Sequence, residues 1–183
     1  MAEPAVHALM SVDPDVDVVW RAFELRPDPV PTLDPDGEYL RRAWKTSVYP
    51  LAARLGVTMK LPPVQPRSRL AHEAAHWART QGRFDEYSAA VFSAFFERGE
   101  DIGRREVLVA LAEALGLRGA GLKEALDSHR FESSVIDDER SAQALGLGGV
   151  PAFVADRSAL LSGVQAVESL QALIGHVRGG RST

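Results

Sequence analysis

Apolar side chains at positions 5, 6, 9 and 10 follow the i, i+1, i+4, i+5 spacing of one helical face, so with Pro4 near its start the segment 2–10 is predicted to be a short helix or the end of one. Asp13-Pro14-Asp15 makes a turn, and from Val16 to Leu25 the period shortens. Apolar and polar residues alternate there, with β-branched or aromatic side chains at 16, 18, 19, 20 and 23, which predicts a strand. Prolines at 27, 29, 31 and 35 make 26–37 a surface loop, because each fixes φ and removes an N–H.

The helical period returns from Glu38 to Leu55, with a break or kink expected at Pro50 and a stop at Gly56. Val57 to Leu61 reads as a short extended piece. Four amphipathic helices are predicted at about 68–81, 84–97, 104–115 and 120–128, the first three closed by Gly82, Gly99 and Gly116. A further helix from Ser133 or Ser134 to about Leu145 ends in Gly146-Leu147-Gly148-Gly149. Val150 to Ala155 is then a buried strand with Pro151 at its start, Asp156-Arg157-Ser158 a tight turn, and Ala159 to Gly163 the return strand of a hairpin. Gln165 to Val177 is a closing helix, and 179–183 a frayed tail. The ends therefore form an α/β sandwich and the middle an all-helical insertion at about 36–130, within a single domain spanning 1–183.

Composition narrows the chemistry. With 21 Lys and Arg against 25 Asp and Glu, net −4, no basic field draws in a phosphate backbone, and nucleic acid is not an expected partner. No apolar run is long enough to span a bilayer, and Met1-Ala2-Glu3-Pro4 has neither the basic nor the apolar region of a signal peptide; the expected setting is the cytoplasm, without a membrane partner. The chain contains no cysteine, which removes disulfides, thiolate metal sites and cysteine nucleophiles together.

His72-Glu73-Ala74-Ala75-His76 fits H-E-x-x-H, two imidazoles one turn apart beside a general base, the pattern of a zinc hydrolase. The extended form needs Gly at 79 and His at 82, where this chain has Arg79 and Gly82; a third ligand would have to come from Glu86, Glu97 or Glu100. The alternative makes Leu70, Ala71, Ala74, Ala75 and Ala78 a buried stripe with His72, Glu73 and His76 on the adjoining face, and this structural reading is preferred; no metal is expected. There is no G-x-S-x-G and no phosphate-cradling glycine motif. Val150-Pro151, a proline opening an apolar strand after glycines, suits a turn with a cis peptide or a trans proline at an edge strand.

Gly149-Val150-Pro151-Ala152-Phe153-Val154, followed by Leu161-Ser162-Gly163-Val164-Gln165 and a terminal helix, resembles the C-terminal half of DsbA-family proteins, nearest to the FrnE-like cytoplasmic branch. Trp20 to Pro27 looks like that branch's second strand. Arg69-Leu70-Ala71-His72, His76-Trp77-Ala78, Phe95-Phe96 and Asp101-Ile102-Gly103 look like its helical insertion, so the resemblance runs from 16 to 175. It implies a thioredoxin-like sheet and a thiol-disulfide oxidoreductase whose C-x-x-C faces a cis-proline loop, acting on a protein dithiol or disulfide or on a small thiol, with no cofactor. Val150 and Pro151 would shape the substrate groove, with Trp20, Phe23 and His72 as cleft neighbours.

Against that pattern the first strand and the C-x-x-C are missing, so no residue of this sequence is carried over as catalytic and dithiol exchange is not expected of it. The first strand of a thioredoxin sheet lies between the strands corresponding to 16–25 and 150–155, and its loss leaves two open edges. A start codon upstream of Met1, a covering partner such as a second copy in a homodimer, or a rearranged fold would each account for this, the first being favoured. Within the same fold the alternative is the kappa-class glutathione transferase and 2-hydroxychromene-2-carboxylate isomerase group, which uses a serine and glutathione; outside it, a non-catalytic binding protein, and last a zinc hydrolase.

Overall fold

The computed structural model describes residues 1–180; the last three positions of the expected tail lie outside it. Nine α-helices and one hairpin are seen among the described residues: α1 (Glu3–Val12), α2 (Glu38–Ala43), α3 (Tyr49–Arg54), α4 (Arg69–Thr80), α5 (Phe84–Phe96), α6 (Arg105–Ala114), α7 (Gly119–Asp127), α8 (Glu132–Ala144), β1 (Ala152–Ala155), β2 (Ala159–Ser162) and α9 (Val167–Gly180). The fold is α/β, mostly helical, and divides into two compact units, Met1–Leu25 with Arg140–Thr183, and Arg26–Glu139.

In the unit Arg26–Glu139 the predicted helices form with boundaries close to those of the sequence pattern. Four helices stop in the same way: the N–H of Gly82 reaches Arg79 O while that of Arg83 reaches Ala78 O, and the pattern repeats at Gly56, Gly116 and Gly146. Gly82 and its three counterparts all have positive φ, which L side chains rarely adopt. The core between α4, α5, α6 and α7 is made of Ala71, Ala74, Trp77, Tyr87, Leu108, Leu122 and their neighbours. Tyr87 is fully buried, yet its hydroxyl donates to Leu108 O at 2.9 Å, and burial pushes its ionisation above the ordinary range.

The break expected at Pro50 takes the form of a π-turn over Trp44–Val48 between α2 and α3. Proline has no N–H and its ring crowds the carbonyl four residues back, so the preceding turn widens. The N–H of Tyr49 accordingly reaches Trp44 O, five residues back. The widened turn seats Trp44 edge-on to Tyr49 at 5.5 Å and beside Phe96 of α5 at 6.2 Å. The extended piece expected at 57–61 joins no ladder; Lys60 and Leu61 instead donate their N–H groups to Phe96 O and the Tyr49 hydroxyl.

In the other unit α1 and α9 pack together, with Val6, Leu9 and Leu170 buried between Val16, Val18, Trp20, Phe153, Leu161, Val167 and Ile174. Arg178 near the end of α9 grips Asp13 with two bonds, of 2.6 and 3.2 Å, and holds that carboxyl below its usual range. β1 and β2 pair antiparallel, Ala152 opposite Ser162 and Ala155 opposite Ala159. Asp156 and Arg157 turn the chain with φ of 49° and 57°, and the N–H of Ser158 closes the turn on Ala155 O.

The strand expected over 16–25 is not formed. Its period-two pattern is nevertheless visible in burial: Val16, Val18, Trp20, Ala22 and Glu24 are buried or half-buried while Asp17, Val19, Arg21 and Leu25 are exposed. An alternating segment becomes a strand only when a neighbour supplies its ladder, and the sheet of the described residues consists of β1 and β2 alone. Gly179 and Gly180, expected in the tail, continue α9.

Candidate functional site

The site is built around the chain between α8 and β1. After the Gly146 stop the backbone runs through Gly148 and Gly149, around which a side chain would meet nothing within 4 Å, and then reaches Val150, which is 50% exposed. The Val150–Pro151 bond is cis. Pro151 O accepts the N–H of Gly163 at 2.8 Å, while the Gln165 side-chain amide donates to Ser162 O at 2.7 Å. The turn is thus fixed from the β2 side by one backbone bond, and the Gln165 amide braces the end of β2.

That bond also fixes which way β1 presents its backbone. In an antiparallel pair, positions exchanging hydrogen bonds alternate with positions that point away. Pro151 and Gly163 are of the first kind, so Phe153–Leu161 and Ala155–Ala159 follow suit, and the N–H and C=O groups of Ala152 and Val154 point away from β2. Among the described residues no strand lies on that side. Phe153 and Leu161 turn into the core with Trp20, whereas Val154 and Leu160 are 38% and 44% exposed. An apolar, half-open strip with a row of free backbone donors and acceptors therefore begins at Pro151.

Of the residues marked from sequence, Val150 and Pro151 form this turn, and Trp20 shares the apolar cluster of Phe153, two residues further on. Phe23 is half-buried and joins neither apolar cluster. His72 is half-buried on α4, in the other unit. Sequence reasoning misses the backbone donors of Ala152 and Val154; the pairing of Pro151 with Gly163, which no local pattern gives, is what identifies them.

The H-E-x-x-H residues are placed differently from the expected decorated face. His76 Nε2 meets Asp138 Oδ2 at 3.1 Å, and Asp138 is itself buried. Glu73 is 1% exposed, and not on a face beside the buried stripe as expected, because α5, α6 and α7 all pack on α4 and His129, in the turn after α7, lies 3.8 Å from its carboxylate. The glutamates considered as a third ligand are engaged elsewhere: Glu86 with Arg83, Glu97 with the Ser93 hydroxyl, Glu100 with Arg98. No group of three or more His, Asp or Glu placed to hold a metal ion occurs among the described residues. No helix among them is long and apolar enough to cross a membrane.

A family model described as a DSBA-like thioredoxin domain matches residues 1–175. The chain is 38% identical over 148 residues to the uncharacterized protein YwbO of Bacillus subtilis, covering 76% of this chain and 72% of that one. Its fold is similar to that of a probable DsbA oxidoreductase from Streptomyces coelicolor, with a TM-score of 0.79 at 24% identity over 97% of this chain and 83% of the other. It is also similar to that of a 2-hydroxychromene-2-carboxylate isomerase, with a TM-score of 0.74 at 18% identity over 97% and 89% of the two chains.

Proposed function

Because the chain belongs to the DSBA-like thioredoxin domain family, we propose that it is the substrate-holding scaffold of a FrnE-type thiol-disulfide oxidoreductase acting in the cytoplasm on a protein dithiol or disulfide or a small thiol. The observation that carries this reading is the Val150–Pro151 turn, exposed at Val150 and continuous with the outward backbone groups of Ala152 and Val154. Such a row recognises an extended peptide through main-chain hydrogen bonds, independently of its side chains. Exposed Val150 and Val154 then favour apolar neighbours of the reacting sulfur.

The chemical step belongs to cysteines outside this sequence. A disulfide is opened by a thiolate attacking one of its sulfurs, and this sequence contains no thiol. The isomerase-like alternative is favoured by the second structural likeness, and it is separated from the first reading by its ligand: glutathione alone, with no affinity for peptide.

Backbone amide shifts in an NMR titration test the site. Addition of an extended peptide containing an S-methylated cysteine is expected to move the amide signals of Val150, Ala152 and Val154 and to leave those of α5 and α6 in place. Shifts confined to other residues, or none at millimolar peptide, would sink the reading; a response to glutathione alone would favour the isomerase-like branch.

A further inference from the structure

Glu73 occupies the middle of α4, the helix at the centre of the Arg26–Glu139 unit. Its side chain is 1% exposed and neither carboxylate oxygen has a hydrogen-bond partner. A buried carboxylate in that condition is among the costliest groups a core can hold, and proteins neutralise it with a proton or a counter-charge. The group nearest to supplying one is His129, in the turn between α7 and α8, whose Nδ1 lies 3.8 Å from Glu73 Oε1. His129 holds a left-handed φ of 49°, an unusual conformation for a residue with a Cβ, and its ring is half exposed. The imidazole thus links the buried acid to solvent.

Of the other charged groups around this pair, Arg69 offsets part of the cost of the buried charge, more weakly than burial raises it, and the rest have partners of their own or add to it. Arg69, one turn earlier on α4, lies 3.5 Å from Glu139 and 3.9 Å from Glu132 of α8. Glu132 is a second negative charge acting on Glu73. Asp127 of α7 is held by Lys123 of the same helix and by Arg105 of α6. From α5 the titratable group in the core is Tyr87, whose hydroxyl is committed to Leu108 O. His76, on the same helix as Glu73, faces Asp138.

We propose that Glu73 keeps a proton in the folded unit and that this protonated carboxyl, lying against the His129 ring, latches α4 to the turn between α7 and α8, so that the helical unit loosens as the pH rises. With the proton present, the buried group is an uncharged acid beside the imidazole ring. Without it, a bare carboxylate remains in the core. The arrangement makes the proton a ligand of the folded unit.

Desolvation pushes Glu73 above its ordinary value of 4.5, ahead of the opposing effect of His129. A raised folded-state pKa means a proton bound in the fold that the unfolded chain has released. Its stabilisation is complete below the unfolded value and is lost as the pH climbs through the folded one. Relative to Glu73→Gln, the unfolding midpoint of the wild-type chain should therefore fall as the pH is raised from 5 to 8. A tenfold difference in proton affinity corresponds to about 1.4 kcal/mol and a shift of roughly 2–4 °C for a chain of this size. A wild-type-minus-variant difference that stays constant over this range overturns the proposal. The carboxyl 13C shift of Glu73 in the wild-type chain gives a second reading that stands even if the variant does not fold: a midpoint well above 4.5 supports the latch, and one at or below it refutes it.

Discussion

In an insulin-disulfide reduction assay, the 183-residue chain is expected to add nothing to the rate set by the small-molecule reductant alone. The fold is that of DsbA-like proteins, and the turn that would hold a substrate is in place, but neither supplies a nucleophile. Serine and threonine hydroxyls do not replace a thiolate, because opening a disulfide requires a sulfur that forms the mixed disulfide and leaves again. With no cysteine in the sequence, the expected effect is a complete absence of exchange and not a reduced rate. The assay is to be run beside a far-ultraviolet circular dichroism spectrum that shows the helices are formed. A rate above the blank from folded, cysteine-free chain would contradict the division of labour proposed here.

Leu122→Ala should cost the helical unit about 2–5 kcal/mol, the range for truncating a fully buried leucine. Leu122 has no exposed surface and sits on α7 within the cluster of Ala71, Ala74, Trp77, Leu108 and Leu126. The loss has two parts, the apolar area no longer buried and the cavity left behind, and the second depends on whether the walls can close. Here they are held: α7 already approaches α4 closely enough that a Cβ at Gly121 would stand 3.6 Å from the Trp77 ring. The upper half of the range is therefore expected in urea denaturation followed by circular dichroism. A loss below about 1 kcal/mol would mean that α4 and α7 can move together, contrary to this packing.

Much of this architecture can be read from periodicity alone. The amphipathic stripes of α4 to α7 and the glycines that stop α4 and α6 are local signals, and local signals survive without a partner. The segment 16–24 is the opposite case. Its alternation is equally legible, and Val16, Val18 and Trp20 do face the core, yet strand formation depends on a ladder that another segment must provide. Exposed Val19, at 56%, marks the face that a further layer would normally cover.

Pro50 announced a break but not its form, since whether a helix ends or widens there depends on what receives the displaced side chains, in this case Trp44 against Tyr49 and Phe96. The stripe of Leu70, Ala71, Ala74, Ala75 and Ala78 leaves out Trp77 and so places Glu73 beside the buried face. Including Trp77, four residues later on the same face, centres the buried surface between Ala74 and Glu73. The Val150–Pro151 turn was visible as a motif, but the outward backbone of Ala152 and Val154 follows only once the pairing with β2 is known.

The measurement that bears most directly on the central claim is the intact mass of the protein isolated from its native host, before and after alkylation of thiols. A reading in which the scaffold serves thiols outside this sequence predicts a mass above 19.9 kDa. The excess should be roughly 2–3 kDa, about the size of one strand, its loop and two or three turns of helix, with two alkylatable thiols in it. A mass of 19.9 kDa with no alkylation would contradict it and leave the Val150–Pro151 groove as a binding site without redox chemistry.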